Sequence, residues 1–374
     1  MKPFDEPIFV TRPALPPLEE FAEGLKEIWD NRWLTNSGPV HQRYQARLGE
    51  FLQAENVSLY SNGTLALQQA LEAFDLPPGS EVITTPFTFV ATAHAIVSAG
   101  LTPVFVDIEP TYFNLDPVKV EQAITPKTSA ILPVHVFGNP CDIPAFEALA
   151  IKHDLKLIFD AAHAFGVEVA SQPIGNFGDV SMFSLHATKL YHSVEGGVLV
   201  LRDPAICEWA DLRKNFGFQG ETQVAIVGTN AKMSEIHALM GLQLLDQVGD
   251  LIESRRAAVD CYRECLADVK GITLPAAPAS SVRSNHAYMP ILVDQAQFGL
   301  SRDGLYDALK DYNVFSRRYF YPLLTEFACY REIETRGELP VATHIAEQVL
   351  CLPLYPDLGR EAIRQIVEII QSLS

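Results

Sequence analysis

The stretch Asp179–Val200, DVSMFSLHATKLYHSVEGGVLV, places a single lysine between two apolar runs. Val180–Leu185 and Gly197–Leu201 are both predicted as short buried strands, and Lys189 lies in the polar segment that joins them. A lysine held against an apolar wall loses hydration, which lowers the pKa of its ammonium group, and the neutral amine can then form a Schiff base with a carbonyl. The pattern predicts a reactive lysine of the kind that pyridoxal phosphate requires, although a solvated loop cation is the alternative.

Before this stretch, short apolar runs alternate with helical segments. Such alternation predicts βαβ units around a mostly parallel sheet. The runs are VSLY (57–60), EVITT (81–85), TPVFVDI (102–108), SAILPVHVFG (129–138) and LKLIFD (155–160). Helical spacing of apolar residues predicts further helices over 18–33, 65–74, 233–245 and 251–267, another one through Tyr44, Leu48 and Phe51, and a final helix from Glu361.

The length and composition predict a globular chain of more than one domain. The 374 residues are 48% hydrophobic, enough to bury a large core and to form about two domains. We expect a large domain over 1–247, with an N-terminal helical segment, and a smaller α+β domain over 248–374, with a strand over 285–292.

The charge balance excludes several classes of partner. Lys and Arg number 28 against 46 Asp and Glu, and the net charge of −18 opposes binding to nucleic acid or to an anionic membrane. The start of the chain, MKPFDEPIFV, lacks the apolar stretch of a signal peptide, which favours a cytoplasmic location. The six cysteines are scattered without zinc-ligand spacing, so no metal site is expected.

A polar turn follows the first predicted strand of the sheet. Ser61-Asn62-Gly63-Thr64 separates Val57–Tyr60 from an apolar helix predicted over Leu65–Phe74. Backbone N–H groups at a helix start, with a glycine that permits close approach and a threonine hydroxyl, form a site suited to phosphate. The same residues could also act as an ordinary helix cap.

A second candidate group follows the strands that end near residues 85 and 160. Asp160 ends a buried strand at the carboxyl edge, where ligands bind in open α/β sheets. A buried carboxylate needs a cation or several donors, and a protonated pyridine nitrogen would serve; a helix N-cap is the alternative. His163 could bind a phenolic oxygen or remain a core histidine. Of Phe87 and Phe89, one could cover a flat ring while the other enters the core.

Several motifs in this order resemble the DegT/DnrJ/StrS sugar aminotransferases, which are fold-type-I enzymes that use pyridoxal phosphate. The resemblance runs from LPPLEE (15–20) nearly to the end of the chain. LTNSGPVH (34–41), DAAHAFGV (160–167) and RRYFYPL (317–323) are most similar to the branch that aminates dTDP-4-keto-6-deoxyglucose at C4. The other motifs are SNGT (61–64), TFVATAHA (88–95), SLHATK (184–189) with EGG (195–197), and NAKMSEIHA (230–238).

The resemblance implies a role for each matching residue. Lys189 would form the Schiff base and then act as base and acid of the proton shift, and Asp160 would keep the pyridine nitrogen protonated. Phe89 and Ala162 would cover the two ring faces. His163, where many members have glutamine, would reach the ring oxygen. Asn62, Gly63, Thr64 and Ser184 would hold the phosphate together with Asn230 from the other subunit of a homodimer.

The resemblance also implies the fold and the substrates. We expect a mostly parallel seven-stranded sheet in the large domain, with glutamate as amino donor and a dTDP-linked keto-deoxysugar as acceptor, as in O-antigen or other polysaccharide biosynthesis. The candidate substrate contacts are Thr35, Arg317, Arg318 and Tyr319. The two arginines are included because guanidinium groups can bind a diphosphate. His94 departs from the asparagine that is frequent in the family.

Three other functions are considered beside C4 amination. The first is amination at C3 of a 3-keto sugar. The second is C3 dehydration on the same fold, against which the retained Lys189 argues, since a histidine replaces the lysine in those enzymes. The third is a noncatalytic, cofactor-binding regulator of sugar metabolism.

Overall fold

The computed structural model describes residues 1–333 and 335–374 as an α/β fold. Its strands are β1 (Ile8–Phe9), β2 (Val57–Tyr60), β3 (Glu81–Thr84), β4 (Thr102–Phe105), β5 (Thr128–Leu132), β6 (Lys156–Asp160), β7 (Glu168–Val169), β8 (Gln172–Pro173), β9 (Val180–Ser184), β10 (Gly197–Leu201), β11 (Ile272–Thr273), β12 (Val282–Arg283), β13 (Met289–Val293), β14 (Val314–Phe315) and β15 (Val349–Leu352).

The helices surround these strands and connect most of them. They are α1 (Leu18–Asn31), α2 (Pro39–Leu52), α3 (Gly63–Glu72), α4 (Val90–Ser98), α5 (Pro117–Ala123), α6 (Ile143–His153), α7 (Pro204–Arg213), α8 (Glu235–Leu245), α9 (Val248–Leu266), α10 (Gln295–Phe298), α11 (Arg302–Lys310), α12 (Pro340–Gln348) and α13 (Arg360–Ser372).

A seven-stranded sheet in the order β2-β10-β9-β6-β5-β3-β4 forms the centre of the fold. Strand β10 runs antiparallel to both neighbours, and the other pairs are parallel. The strands are buried along nearly their whole length, as expected for a sheet covered by helices on both faces. The mostly parallel seven-stranded sheet is therefore confirmed, and each of the five predicted runs before Lys189 contains a strand.

The structure begins α3 two residues earlier than the sequence predicts. Asn62 has extended backbone geometry, and its side-chain oxygen accepts a 2.9 Å hydrogen bond from the N–H of Leu65. This cap allows the helix to begin at Gly63, so the predicted turn is shorter and Gly63 and Thr64 belong to the first helical turn.

A smaller antiparallel sheet, β11-β13-β15, packs with α9, α11 and α13 around a separate apolar cluster. Helix α9 begins at Val248, where the second domain is predicted to begin, and the division into 1–247 and 248–374 stays a prediction. The first residues of the chain lie with the smaller cluster, although the predicted division assigns them to the large domain. Strand β1 pairs with β14, and Phe4 and Ile8 pack against the smaller cluster.

The described residues include neither a membrane-spanning helix nor a metal cluster. None of their helices combines the length and the apolar character that crossing a bilayer requires. Within the same residues, no cluster of His, Cys, Asp and Glu side chains has the arrangement of a metal site.

Candidate active site

A cavity of about 340 Å³ opens where the parallel strands of the large sheet end. Because β10 is antiparallel, its first residue also lies at this edge, beside the last residue of β9. Most of the predicted site residues line this one cavity: Asn62, Gly63, Thr64, Phe89, Asp160, Ala162, His163, Ser184, Lys189 and Tyr319.

Lys189 projects into the cavity from the loop between β9 and β10. Its Nζ lies 3.5 Å from the hydroxyl of Tyr288, at the limit of a hydrogen bond. Burial lowers the pKa of Lys189 to about 8, while the nearby Asp160 carboxylate opposes that shift. At pH 7 roughly one in ten of these side chains is therefore a neutral amine, the form that attacks a carbonyl, which is far more than for an unperturbed lysine.

Asp160 ends β6 and is almost fully buried, with 4% of its surface exposed. One carboxylate oxygen accepts a 3.0 Å hydrogen bond from the N–H of Ala162, and the other accepts a 2.8 Å bond from the hydroxyl of Thr92. Burial raises the pKa of Asp160, and these two donors and Lys189 oppose the rise. The segment after Asp160 is a turn rather than a helix, so the alternative of a helix N-cap is wrong.

The start of α3 supplies an anion site at one end of the cavity. The first backbone N–H groups of a helix have no partner within it; Asn62 satisfies that of Leu65, while those of Gly63 and Thr64 remain available. A Cβ on Gly197 would lie 2.6 Å from the carbonyl oxygen of Asn62. Glycine therefore lets β10 approach this turn closely, and the hydroxyl of Ser184 lies on the neighbouring strand.

Aromatic side chains shape the rest of the cavity. Phe87 is fully buried, whereas Phe89 is 58% exposed and faces the cavity, so the two phenylalanines take the two predicted positions. His163 is stacked on Phe320, with the ring centroids 5.7 Å apart. Burial lowers the pKa of His163 well below its usual value, and its Nδ1 has no hydrogen-bond partner. The imidazole is thus neutral, with one buried polar atom unsatisfied.

Two polar residues of the site were not singled out from the sequence. Thr92 lies in TFVATAHA, where a hydroxyl in an otherwise apolar helix is a weak signal. Tyr288 comes from the C-terminal part of the chain, just before β13, and nothing in its local sequence points to Lys189. Thr92 contacts Asp160, which is 68 residues away in the sequence, and Tyr288 contacts Lys189, which is 99 residues away.

Four predicted residues do not line the cavity. Thr35, Asn230 and Arg317 are exposed on the surface. Arg318 forms a 2.9 Å ion pair with Asp303, and its guanidinium also lies over an aromatic ring. That carboxylate competes with a diphosphate for Arg318, so the two arginines of the pair are not equivalent.

The structure also accounts for His94, which departs from the family pattern. Its Nδ1 is hydrogen-bonded to the hydroxyl of Tyr330, and the two rings lie 5.5 Å apart. Since Tyr330 belongs to a small apolar cluster with Leu324, His94 links α4 to the C-terminal part of the chain. It is not among the residues that line the cavity.

The cavity has the features that pyridoxal phosphate requires. The free N–H groups at the start of α3 suit a phosphate, and the buried carboxylate of Asp160 suits a protonated ring nitrogen. His163 lines the cavity with an imidazole that burial keeps neutral, which suits a ring oxygen, and Lys189 has the lowered pKa of a Schiff-base lysine. The residues present therefore fit the cofactor.

Comparison with known proteins also points to a sugar aminotransferase, and the similarity covers nearly the whole chain. The chain is 46% identical to the dTDP-4-amino-4,6-dideoxy-D-glucose transaminase of Shigella dysenteriae over 369 residues, 99% of this chain and 100% of the relative. It is 44% identical to the Escherichia coli enzyme of the same name over 370 residues, covering 98% of each. The crystal structure of DesI with its TDP-sugar product has a TM-score of 0.94 at 37% identity, covering 100% of this chain and 94% of DesI.

Residues 18–371 match the DegT/DnrJ/EryC1/StrS aminotransferase family. The matched range includes every element that contributes to the cavity, from α3 to the segment around Tyr319. With a lysine of lowered pKa, a buried aspartate and a helix-terminal anion site on one sheet edge, the chain belongs to this family of pyridoxal phosphate-dependent sugar aminotransferases.

Proposed function

We propose that this enzyme transfers an amino group from glutamate to C4 of a dTDP-linked 4-keto-6-deoxyglucose. The observation that carries the proposal is the meeting of Lys189 and Asp160 in one cavity at the edge of the sheet. The similarity to two dTDP-4-amino-4,6-dideoxy-D-glucose transaminases supports the choice of sugar and carbon.

The chain's own residues divide the work of the reaction. When bound, pyridoxal phosphate supplies an electron sink for the carbon that loses its proton. The neutral amine of Lys189 takes that proton and returns it, since a pKa of about 8 lets the group act as both base and acid near neutral pH. Asp160 would keep the ring nitrogen protonated, and the N-terminus of α3 would bind the phosphate.

The sugar nucleotide is proposed to enter past Tyr319, which lines the cavity from the C-terminal part of the chain. Arg317 is exposed beside it and is the better candidate of the arginine pair for the diphosphate, because Arg318 is engaged by Asp303. A guanidinium forks onto phosphate oxygens and would offset locally the net charge of −18. Thr35 stays a candidate on the N-terminal side.

We also infer that the active form is a homodimer in which Asn230 completes the neighbouring subunit's phosphate site. Asn230 is exposed and outside its own chain's cavity. Large apolar side chains are exposed at the end of α1, directly after it and in the segment between α7 and Asn230, and exposed apolar patches commonly mark protein–protein contacts. They include Trp29, Trp33, Leu34, Phe216, Phe218 and Val227. A second copy of the chain would cover them.

The position of amination is tested directly by product analysis. The enzyme is incubated with glutamate and, separately, with dTDP-4-keto-6-deoxyglucose and dTDP-3-keto-6-deoxyglucose, and the new C–N bond is located by NMR. We expect product from the 4-keto sugar. Product only from the 3-keto sugar would replace C4 by C3. Cofactor binding without any glutamate half-reaction would instead favour a noncatalytic regulator.

A further inference from the structure

Asp160, the carboxylate assigned to the ring nitrogen, receives a hydrogen bond from α4, the helix that begins directly after Phe89. Thr92 lies in α4, three residues after Phe89, and is 1% exposed. Its hydroxyl donates to Asp160 Oδ2 over 2.8 Å. A threonine inside a helix commonly bonds to a carbonyl of the preceding turn, but this hydroxyl is directed at the sheet edge instead.

A second buried threonine stands behind the first. The hydroxyl oxygens of Thr88 and Thr92 are 3.0 Å apart, and Thr88 is 4% exposed. A hydroxyl has one hydrogen to donate, and that of Thr92 is directed at Asp160, so Thr88 is the donor in this contact. The hydrogen bonds therefore run from Thr88 to Thr92 and from Thr92 to Asp160, and each bond polarises the next.

The two donors to Asp160 act on different oxygens. Ala162 bonds to Oδ1 and Thr92 to Oδ2, so rotation of the carboxylate breaks at least one bond. Each carboxylate oxygen can accept more than one hydrogen, which leaves capacity for a donor in the cavity. After burial, the Thr92 hydroxyl is the largest influence on the pKa of Asp160, and it acts to lower it.

We propose that Thr92, supported by Thr88, is a positioning residue that orients Asp160 and keeps it ionised for the ring nitrogen of the cofactor. The proposal rests on the assignment of pyridoxal phosphate to this cavity. It gives α4, which begins directly after Phe89, a role in setting the charge at the ring edge.

The test compares Thr92→Val, which keeps the shape and removes the hydroxyl, with Thr92→Ser, which keeps the hydroxyl. Thr84→Val is the matched control, because Thr84 is fully buried in β3 and its hydroxyl bonds to the carbonyl of Leu132 at 2.7 Å, away from Asp160. Asp160→Asn marks the effect of losing the carboxylate charge. Each apoprotein is titrated with pyridoxal phosphate by equilibrium dialysis, and the single-turnover reaction with glutamate is followed across pH by absorbance.

We expect Thr92→Val to weaken cofactor affinity and slow the half-reaction by roughly ten- to a hundredfold, the range for losing a hydrogen bond to a charged group. The acid limb of its rate profile should move to higher pH, since Asp160 is then protonated more readily. Thr92→Ser should stay close to the wild type. A Thr92→Val enzyme with the affinity, rate and pH profile of Thr84→Val would overturn the proposal. Failure of the wild type to bind cofactor would overturn the cofactor assignment and this inference with it.

Discussion

Lys189 shows how burial turns a common surface residue into a reactive one. Its ammonium group loses solvation in the cavity, and the Asp160 carboxylate restores only part of that stabilisation. The pKa of about 8 is below the usual lysine value, so the folded protein holds the amine neutral over a pH range in which an unfolded chain holds it protonated. Protonation of Lys189 thus competes with its reaction.

A first prediction follows for the pH dependence of cofactor capture. The rate at which apoprotein reacts with pyridoxal phosphate should rise with pH and level off above a midpoint near 8, because only the neutral amine attacks. Stopped-flow absorbance at pH values on both sides of the midpoint measures this rate. Lys189→Ala serves as the control and should show no covalent capture. A midpoint at the ordinary lysine pKa would contradict the lowered pKa.

The lowered pKa of Lys189 also makes the free energy of unfolding depend on pH, in a direction that follows from the shift. Between the folded pKa of about 8 and the unfolded value of 10.5, the unfolded chain binds more protons at Lys189 than the folded chain. The contribution of this residue to the free energy of unfolding therefore increases as pH rises through that window and is constant below it. Denaturant unfolding of apoprotein, compared with Lys189→Met, isolates this contribution.

At the level of elements, the phosphate site depends on how closely β10 approaches the start of α3. Gly197 pairs with Tyr60 on β2, and its missing side chain leaves room for the carbonyl of Asn62. Asn62 in turn caps the helix whose free N–H groups would face the phosphate. Capping and phosphate binding are thus compatible at one turn, because they would use different N–H groups.

We predict that Gly197→Ala displaces this turn and weakens pyridoxal phosphate binding. The new Cβ would lie 2.6 Å from a backbone oxygen, a contact that only backbone movement can relieve. Overpacking of this kind costs about 1–3 kcal/mol, equivalent to roughly a five- to hundredfold loss of affinity if it falls on the bound state. Gly249→Ala in α9 is the control, since nothing lies within 4 Å of its added Cβ. Equal cofactor affinity of the two variants by equilibrium dialysis would contradict the prediction.

In the whole molecule, the cavity is built from the large sheet with its loops, from the C-terminal part of the chain and, as proposed, from a second chain. The large sheet supplies Asp160, the loop between β9 and β10 supplies Lys189, and the C-terminal part of the chain supplies Tyr288, Tyr319 and Phe320. Strand β1 pairs with β14, so the start of the chain joins the part that follows 248. Asn230 is exposed and outside its own chain's cavity, so in the proposed dimer it would be accessible to the phosphate site of a second copy.

Subunit mixing tests that arrangement. Lys189→Ala removes the reactive amine, and Asn230→Ala removes the proposed cross-subunit contact. A heterodimer of the two would have one site free of both changes, so mixing under conditions of subunit exchange should raise activity above that of either variant. The control is each variant mixed with itself. Unchanged activity, with exchange demonstrated by mass spectrometry of labelled chains, would mean that Asn230 acts in its own chain or not at all.

The sequence alone determined the positions of Lys189, Asp160 and the turn around Gly63. Asp160 and the turn around Gly63 come at the ends of apolar runs, Lys189 lies in the polar segment between two such runs, and the sheet brings these ends to one edge. The phenylalanine pair shows the limit of this reasoning, because only the structure decided that Phe87 is in the core and Phe89 in the cavity.

Only the tertiary structure decided which distant groups complete the site. Thr92 reaches Asp160 across 68 residues and Tyr288 reaches Lys189 across 99, and no local spacing encodes those contacts. The ion pair that engages Arg318 was equally hidden, since Asp303 lies on another element. The physical reason is the same in each case: a hydrogen bond or ion pair depends on how helices and strands pack, whereas a strand end or a helix cap depends on neighbours in the chain.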